Sequence, residues 1–332
     1  MKHIILSIIT VNYKGWDVLR QFLASFKKHP PKLNYEIIVV DNDSQDGQFS
    51  AFQQQFPQII CIANTGNYGF SQGCNLGASH AKGEYLLFLN PDILLTNSNA
   101  IDIMVSFAQQ NPHIGITSCR RMNNKGKPER ELAFEQLWLN TGWLRALYKL
   151  WNKNKLAVKF PENAKVWYPD WVSGSIILIR KDFFQKIGKW SEDDFWMYSE
   201  DPDLCRKVRQ QGKKIALLRY VELKHAHGGA SRRNVQTIAI TKSEVVTSQH
   251  VFIQKYARGF NRLALHLLTL SNTLTAWTLR TAISSIVFWT PLFKASLLTF
   301  SAIIQYYISA IKRRTWKSKR LKIAKQAHKK ED

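Results

Sequence analysis

The chain of 332 residues carries 47 Lys and Arg against 24 Asp and Glu, a formal net charge of +23. A hydrophobic content of 45% with 12% aromatic residues is ample for a buried core and excludes a largely disordered protein. The positive charge indicates an anionic partner: a nucleic acid, a membrane surface or a phosphorylated substrate. The four cysteines, at positions 61, 74, 119 and 205, have no metal-ligand spacing and are interpreted as thiols of a reducing compartment.

Short apolar runs alternate with helical patterns through the first third of the chain. Strands are predicted at residues 4–11, 35–40, 59–63, 84–89 and 114–118, and helices at 16–28, 45–56, 70–81 and 97–110. This alternation is typical of βαβ units and predicts an α/β fold with a mainly parallel sheet flanked by helices. Ligands of such sheets bind at the carboxyl ends of the strands. Three predicted strands end there in the polar segments N-Y-K-G, D-N-D-S and N-P-D.

The rest of the chain changes in composition from one segment to the next. Residues 120–165 are basic and rich in Trp and Leu, and helices that partly cover the site are expected there. The elements predicted next are strands at 171–179, 215–218 and 221–223 and helices at 182–187 and 201–211. Residues 263–311 carry only Arg280 and Lys294 as fixed charges. We therefore predict a catalytic domain over 1–240, an apolar helical membrane-associating region over 241–311 and a basic tail over 312–332.

Two segments contain residues suited to binding a nucleotide. V-V-D-N-D-S-Q-D-G places Asp41 at a strand end, followed by Asp43 and Ser44. These residue types are common in turns and helix caps, although a strand-end aspartate can also accept hydrogen bonds from a base or ribose. N-T-G-N-Y-G-F-S-Q-G-C-N-L-G lets the backbone approach a ligand closely, but it lacks a P-loop lysine and the G-x-G-x-x-G spacing. Dinucleotide binding is therefore disfavoured.

Three further segments contain candidate metal ligands and a candidate base. N-P-D is either a simple turn or the position of a carboxylate, Asp92, for a hard divalent cation. Glu200 and Asp201 lie at a predicted helix start in D-F-W-M-Y-S-E-D-P-D. Acids at this position can simply be stabilised by the helix dipole. Alternatively, one of them can serve as a general base whose pKa is raised by the aromatic surroundings. K-H-A-H-G-G offers His225 and His227 either as structural residues or as ligands.

Taken in order, these segments resemble the inverting family 2 glycosyltransferases of the GT-A fold, and among them the rhamnosyltransferase-like group. The matching segments also include I-I-T-V-N-Y, V-S-G-S-I-I-L-I-R-K-D-F-F and H-G-G-A-S, and the resemblance covers roughly residues 4–232. It implies a nucleotide-diphosphate sugar donor (dTDP- or UDP-linked), a divalent Mg²⁺ or Mn²⁺ ion and a single displacement at the anomeric carbon.

The resemblance also implies roles for individual residues. Asp41 is expected to contact the nucleoside, with Tyr13 beside the base. The other residues assigned to donor binding are Val11, Asp43, Ser44, Asn67, Gly69, Asn75, Asn90, Ser173 and Gly174. Asp92 takes the place of the last acid of the family's D-x-D metal motif, and because Asn90 stands at the first position, water-mediated coordination is expected.

The resemblance implies the catalytic base as well. Asp201 is expected to fill that role, with Glu200 as the second candidate. Either His225 or His227 is expected to contact the metal or the diphosphate, with a slight preference for His227 because it adjoins Gly228.

The C-terminal region predicts contact with a membrane. The uncharged segments on either side of Lys294 have 13 and 17 residues, and a clean span needs about 20. Because both outer flanks are basic, an interfacial or re-entrant hairpin at the cytoplasmic face of the inner (plasma) membrane is expected, and a helical dimerisation face is the alternative. The short N-terminal apolar run does not fit a signal peptide. Nucleic acid is not expected as a partner, because the basic tail lacks interleaved aromatic residues beyond Trp316.

These observations predict an inverting glycosyltransferase that moves a sugar, with rhamnose suggested by the subgroup, to a lipid-linked glycan acceptor. Polyprenyl-diphosphate glycans of bacterial surface polysaccharide synthesis, such as O-antigen or capsule, fit that description. One alternative is a nucleotidyltransferase, which needs a phosphate-binding loop rich in glycine and basic residues near the first strand. N-Y-K-G-W matches such a loop poorly. The other alternative is a catalytically inactive sugar-nucleotide-binding scaffold.

Overall fold

A computed structural model describes residues 3–129, 135, 137–140, 142–152, 160–226 and 234–321. The strands are, in chain order, β1 (Leu6–Asn12), β2 (Tyr35–Asp41), β3 (Ile60–Ala63), β4 (Tyr85–Leu89), β5 (Ile93–Leu94), β6 (Ile114–Met122), β7 (Val166–Trp167), β8 (Ile176–Arg180) and β9 (Lys214–His225). The helices are α1 (Trp16–Lys28), α2 (Gln48–Gln55), α3 (Phe70–His80), α4 (Ala100–Gln110), α5 (Gly142–Trp151), α6 (Lys181–Lys186), α7 (Glu200–Gln210), α8 (Val235–Tyr256), α9 (Gly259–Ser284) and α10 (Pro291–Arg313). Two 3₁₀ turns, Leu137–Asn140 and Ser285–Val287, complete the list.

The nine strands form one mixed sheet in the order β3-β2-β1-β4-β8-β6-β9-β5, with β7 paired to β9. The half from β3 to β4 is parallel, which confirms the predicted βαβ units. Antiparallel β8 joins that half to the parallel pair of β6 and β9. The fold is thus the predicted α/β sandwich, with antiparallel strands in its second half.

Both faces of the sheet are covered, as the unbroken apolar runs predict. Along β1, Leu6 and Ile8 join the core on one face, whereas Ile9 joins the core on the other. Because successive strand residues point to opposite faces, a strand buried on both faces is mostly apolar. The buried polar residues inside β1, Ser7 and Thr10, are small, and the polar residues of the candidate site follow the strand ends.

The second half of the sheet differs from the prediction in two places. The expected strand at 171–179 begins only at Ile176, because residues 173–175 form a turn whose backbone binds two other segments of the site. The two strands expected at 215–218 and 221–223 are one strand, β9. Its register against β6 shifts between Leu218 and Glu222, and this irregularity absorbs the polar residues that interrupt the sequence pattern.

The C-terminal helices pack on the catalytic half and on one another. Helix α8 begins at Val235, where the side chain of Asn234 caps the helix by accepting from the Thr237 N–H at 2.8 Å. Val251 and Phe252 of this helix form a core cluster with Phe195, which precedes α7. On another side α8 joins α10 through Val246 and Ile303. Within the part of the chain that the structure describes, no helix combines the length and hydropathy needed to cross a bilayer.

The described start of the basic tail is attached to the protein body. Lys317 Nζ lies 2.8 Å from Asp194 Oδ1, and the Ser318 hydroxyl donates to Glu244 at 2.8 Å. The guanidinium of Arg320 lies 3.6 Å from the same glutamate. These cations are therefore engaged by acids of the protein.

Candidate active site

The ends of β1 and β2 are joined by a buried network around Asp41. The two strands are in register, with Asn12 opposite Asp41. The Asn12 amide donates to Asp41 Oδ1 at 2.8 Å, and both the hydroxyl and the N–H of Ser44 donate to the same carboxylate. The Ser44 hydroxyl in turn accepts from the Lys14 N–H at 2.7 Å. Asp41 therefore holds the two polar turns together, and the exposed ring of Tyr13 lies in one of them.

The glycine-rich segment links this edge to the segment before α7. The Asn42 amide donates to the Gly69 carbonyl at 2.9 Å, and the Phe70 N–H donates to the Trp196 carbonyl at 3.0 Å. The indole N–H of Trp196 donates back to the Asn67 carbonyl at 3.0 Å. Gly69 has a φ of +95°, and a Cβ there would lie 2.1 Å from the Trp196 carbonyl oxygen. Only glycine allows this approach.

Asn75 and Val11 both contact neighbouring parts of the protein in the structure. The Asn75 amide donates to the Trp190 carbonyl at 3.0 Å and to Glu192 Oε2 at 2.7 Å, and its oxygen accepts from the Trp190 N–H. Val11 lies against Gly73, where a Cβ would meet its side chain at 2.9 Å. The assignment of both residues to donor binding stays a prediction.

The pairing of β5 with β9 places Asp92 beside His225. Ile93 lies opposite His225 in the antiparallel ladder, so the turn residue one position earlier meets the imidazole. Asp92 is 8% exposed, and its Oδ2 lies 3.4 Å from His225 Nε2. The Asn90 N–H at the same turn donates to the Ser175 carbonyl at 3.1 Å. His227, the alternative ligand, lies outside the described residues.

A chain of charged side chains continues from His225 to Ser175. His225 Nδ1 lies 2.9 Å from Glu129 Oε1, Glu129 Oε2 lies 3.3 Å from the Arg121 guanidinium, and Arg121 donates to the Ser175 hydroxyl at 3.4 Å. Burial lowers the pKa of His225, but the hydrogen bonds and charges of Asp92 and Glu129 outweigh burial and leave its pKa raised.

Sequence reasoning missed Arg121 and Glu129. The turn N-N-K-G-K between them was the available signal, because it folds β6 back so that the Glu129 N–H donates to the Arg121 carbonyl at 2.9 Å. A hairpin prediction there would have placed the two charges side by side.

The acids at the start of α7 have distinct environments. Asp201 is half-buried, and its Oδ2 accepts from the Gly174 N–H at 3.2 Å. Burial raises the pKa of Asp201, while the Gly174 N–H and the charge of Arg121 oppose that rise. Burial and the charge of Asp201 raise the pKa of Glu200. Glu200 Oε2 is buried and receives no hydrogen bond from any residue in the described part of the chain.

The third acid of the segment, Asp203, has a structural role. It is fully buried and accepts from the Ser191 and Tyr256 hydroxyls, both at 2.7 Å. Lys255 Nζ lies 2.6 Å from the same carboxylate. Asp203 therefore fastens α7 to α8.

The backbone that leads into α7 is strained. Tyr198 and Ser199 are consecutive non-glycine residues with φ of 71° and 62°. Such conformations cost about 1–3 kcal/mol each and persist where the surroundings enforce them. Here the Ser199 hydroxyl donates to Ser248 of α8 at 3.0 Å, so the C-terminal helices help to hold the acids in place.

The turn at 173–175 contacts two of the predicted site segments. Ser175 contacts the Asp92 turn through Asn90, and its neighbour Gly174 contacts Asp201. The Ser173 and Ser175 hydroxyls lie 3.1 Å apart in the same turn. Adjacent residues of one turn therefore bind Asp201 and the backbone of Asn90, two residues before Asp92.

The described residues contain no group of three or more His, Cys, Asp or Glu side chains arranged to hold a metal ion. Asp92 and His225, with Glu129 on the other nitrogen of the imidazole, are predicted ligands that the structure brings together.

Several known proteins are similar in sequence to this chain. The chain is 25% identical over 221 residues to the O-antigen biosynthesis protein RfbC of Myxococcus xanthus, of which the match spans only 17%. It is 24% identical over 226 residues to the rhamnosyltransferase WbbL of Escherichia coli, covering 66% of this chain and 81% of that one. It is 22% identical over 247 residues to an N-acetylglucosaminyl-diphospho-decaprenol L-rhamnosyltransferase of Mycobacterium tuberculosis, covering 69% and 78%.

A solved structure shows the same fold. The mannosyltransferase PcManGT of Pyrobaculum calidifontis, determined with GDP-Man and Mn²⁺, matches with a TM-score of 0.53 at 14% identity. The match covers 90% of this chain and 86% of that one, which identifies the fold as GT-A-like. The profile of glycosyl transferase family 2 matches residues 7–188, more than half of the chain. The predicted resemblance is confirmed, and the chain belongs to glycosyltransferase family 2.

Proposed function

We propose that this protein is a metal-dependent, inverting glycosyltransferase that moves a sugar from a nucleoside-diphosphate donor to a hydroxyl of a glycan acceptor. The observation that carries the proposal is the turn at 173–175, which binds Asp201 through Gly174 and the Asp92 turn through Ser175. A base and a cation ligand held by neighbouring residues can act on one anomeric carbon. Family membership supports the reaction class.

Asp201 is the proposed base. Its carboxylate has one oxygen fixed by the Gly174 N–H, and its pKa is raised toward neutrality by burial. Asp201 takes the proton of the acceptor hydroxyl while that oxygen forms its bond to the anomeric carbon. The bond from the anomeric carbon to the diphosphate oxygen breaks on the opposite side, so the configuration inverts and the nucleoside diphosphate leaves with the electron pair.

Glu200 is the weaker candidate for the base. It is 8% exposed, and burial together with the Asp201 charge keeps it protonated at neutral pH. A protonated carboxyl cannot accept the proton of the acceptor.

Asp92 and His225 fit a divalent cation. Their nearest side-chain atoms are 3.4 Å apart, and Glu129 on His225 Nδ1 orients the imidazole so that Nε2 faces Asp92. A carboxylate behind a ligating histidine is a common support of metal sites. Bound Mg²⁺ or Mn²⁺ would offset the charge that develops on the departing diphosphate. PcManGT was solved with Mn²⁺, which supports the choice of cation.

The donor and acceptor are proposed from the relatives. Two relatives are named rhamnosyltransferases, which favours a rhamnosyl donor, and the mycobacterial protein is named for a decaprenol-linked acceptor. We extend both to this chain as proposals, a dTDP-linked donor and a polyprenyl-linked glycan acceptor in surface polysaccharide synthesis. A lipid-linked acceptor and the cationic C-terminal region together support a position at the cytoplasmic face of the inner membrane.

The test is donor turnover by the full-length protein. A panel of nucleotide sugars is incubated with Mg²⁺ or Mn²⁺, with and without polyprenyl-diphosphate glycans, and the released nucleoside diphosphate is measured. We expect turnover with one donor class and its loss in Asp201→Asn, with nucleotide binding retained. Nucleotide binding without turnover of any donor would instead indicate a sugar-nucleotide-binding scaffold.

A further inference from the structure

The connection between α9 and α10 exposes a cluster of large apolar side chains. We call residues 279–292 the hairpin tip. Among its apolar side chains, that of Ile286 is 74% exposed and that of Trp289 is 71% exposed. The six members are Leu279, Ile283, Ile286, Phe288, Trp289 and Leu292. Soluble proteins seldom expose so many neighbouring apolar groups unless a partner covers them.

The inward faces of these two helices already have their own core. Leu270, Leu274 and Trp277 of α9 pack against the cluster that contains Ile303 and Tyr307 of α10. The tip residues are thus not needed to hold the helix pair together, and their exposure calls for an external partner.

The charge pattern around the tip selects the partner. Residues 257–321 contain ten Lys and Arg and no Asp or Glu. Two of these cations, Arg280 and Lys294, are exposed and flank the hairpin tip on its two helices. A second copy of the chain would bring the same cations face to face, whereas an anionic lipid surface neutralises them.

We infer that the hairpin tip is a membrane-docking surface that inserts into the interface of an anionic bilayer. The aromatic pair Phe288 and Trp289 suits the boundary between headgroups and acyl chains, and the flanking cations suit the phosphates of the lipids. This inference deepens the proposed membrane position, but its test does not depend on the proposed reaction.

The helices behind the docking surface are attached to the catalytic half. Lys255 of α8 and Lys317 after α10 both contact the carboxylate of Asp194, at 2.9 and 2.8 Å. These contacts join α8, and the end of α10 that lies away from the tip, to the segment just before α7. Docking of the tip therefore tethers the catalytic half to the membrane that presents the lipid-linked hydroxyl.

The experiment is co-sedimentation of the full-length protein with vesicles. Wild type is compared with the double variant Phe288→Ser/Trp289→Ser on vesicles of phosphatidylglycerol mixed with phosphatidylcholine and on phosphatidylcholine alone. Tyr168→Ser/Tyr220→Ser, at exposed aromatic positions of the catalytic half, is the matched control. We expect the tip variant to partition about tenfold or more weakly than wild type, because two large apolar groups are lost. The control should bind like wild type.

Separate readouts keep the outcomes distinct. Melting temperature checks folding, and donor hydrolysis without lipid checks the reaction, which the tip variant should retain. Equal binding of the tip variant and wild type, or equal binding to both vesicle types, would overturn the inference. A wild-type dimer that the tip variant abolishes, with vesicle binding unchanged, would assign the surface to a second copy instead. If the wild-type protein hydrolyses no donor, that result contradicts the proposed function but not the membrane-docking inference.

Discussion

The backbone N–H of Gly174 donates to Asp201 Oδ2 at 3.2 Å, while the next acid on the helix, Asp203, is fully buried between Lys255 and the Ser191 hydroxyl. These two carboxylates lie two residues apart on the helix, and we assign a catalytic role to Asp201 and a structural role to Asp203. Asp201 is half-buried and contacts Gly174 through one oxygen, whereas both oxygens of Asp203 are bound by other segments of the protein. A matched pair of substitutions separates chemistry from structure.

Asp201→Asn should remove about 10²- to 10⁴-fold of turnover, because general-base catalysis contributes that range. Its stability should stay near that of wild type, since the amide keeps an acceptor for the Gly174 N–H. Asp203→Asn should instead destabilise the protein by about 3 kcal/mol, because an amide has only one oxygen to replace the two that accept from Ser191, Tyr256 and Lys255 in a fully buried position. Nucleoside diphosphate release and urea unfolding measure the two effects. A stable but inactive Asp203→Asn would contradict the division of roles.

The pH dependence of turnover follows from the environment of Asp201. Burial raises its pKa to about 6, against the opposing Gly174 N–H and Arg121 charge. A base must be unprotonated, so kcat/KM should rise with pH through a midpoint near that value and level off above it. In Glu200→Gln the midpoint should persist, because Glu200 is already neutral in that range. Initial rates between pH 4.5 and 9 test this, and a Glu200→Gln enzyme without activity would reassign the base.

Glu200 also makes the stability depend on pH. Burial and the Asp201 charge raise its pKa to about 8. The folded state therefore holds this proton more tightly than the unfolded state, where a glutamate titrates near pH 4.3. As pH rises between these two values, ionisation favours the unfolded chain and stability falls.

Glu200→Gln cannot ionise, so it should lose less stability between pH 5 and 9 than wild type, by about 4 kcal/mol. Urea unfolding at several pH values measures this difference. Glu222→Gln, a surface change on β9, is the control and should follow wild type. Parallel pH curves for wild type and Glu200→Gln would mean that Glu200 is ionised in the fold.

The sequence predicts the sheet well because both faces are covered, so strands such as β4 are apolar along their whole length. It also predicts where Asp41, Asp92 and Asp201 lie, since the first two follow apolar strands and the third lies at the start of a helix. The sequence did not predict the pairing of Asp92 with His225. These residues lie more than 100 positions apart, and they meet only through the register of β5 on β9.

The structural tasks of some predicted residues were also invisible in the sequence. Asn75 was assigned to donor binding from a matching segment, and its amide holds the backbone of Trp190. The attachment of Lys317 to Asp194 likewise depends on the packing of α8 and α10, which no local pattern encodes. The role of a polar residue depends on its contacts with distant segments of the chain. The local sequence pattern indicates only its position relative to strands and helices.

Removing the carboxylate behind His225 should weaken cation binding. Glu129 lies 2.9 Å from His225 Nδ1, so Glu129→Gln loses the charge that orients the imidazole toward Asp92. Outer contacts of this kind are worth about 10- to 100-fold in metal affinity. Mn²⁺ binding in the presence of a nucleoside diphosphate, followed by calorimetry, should show that loss. Glu222→Gln should bind Mn²⁺ like wild type, and unchanged affinity in Glu129→Gln would place the cation elsewhere.

Gly69 is the backbone position least able to accept a side chain. Its φ is +95°, and a Cβ would lie 2.1 Å from the Trp196 carbonyl oxygen, which is backbone and cannot move aside alone. Gly69→Ala should therefore break the contact between the glycine-rich segment and the segment before α7, with a loss of about 3 kcal/mol or more. Gly47, with a φ of +73° and nothing within 4 Å of its Cβ position, is the matched control. Gly47→Ala should cost only about 1 kcal/mol, since it carries the conformational strain without the clash. Urea unfolding and donor binding compare the two variants, and equal losses would show that the approach of Gly69 to Trp196 is dispensable.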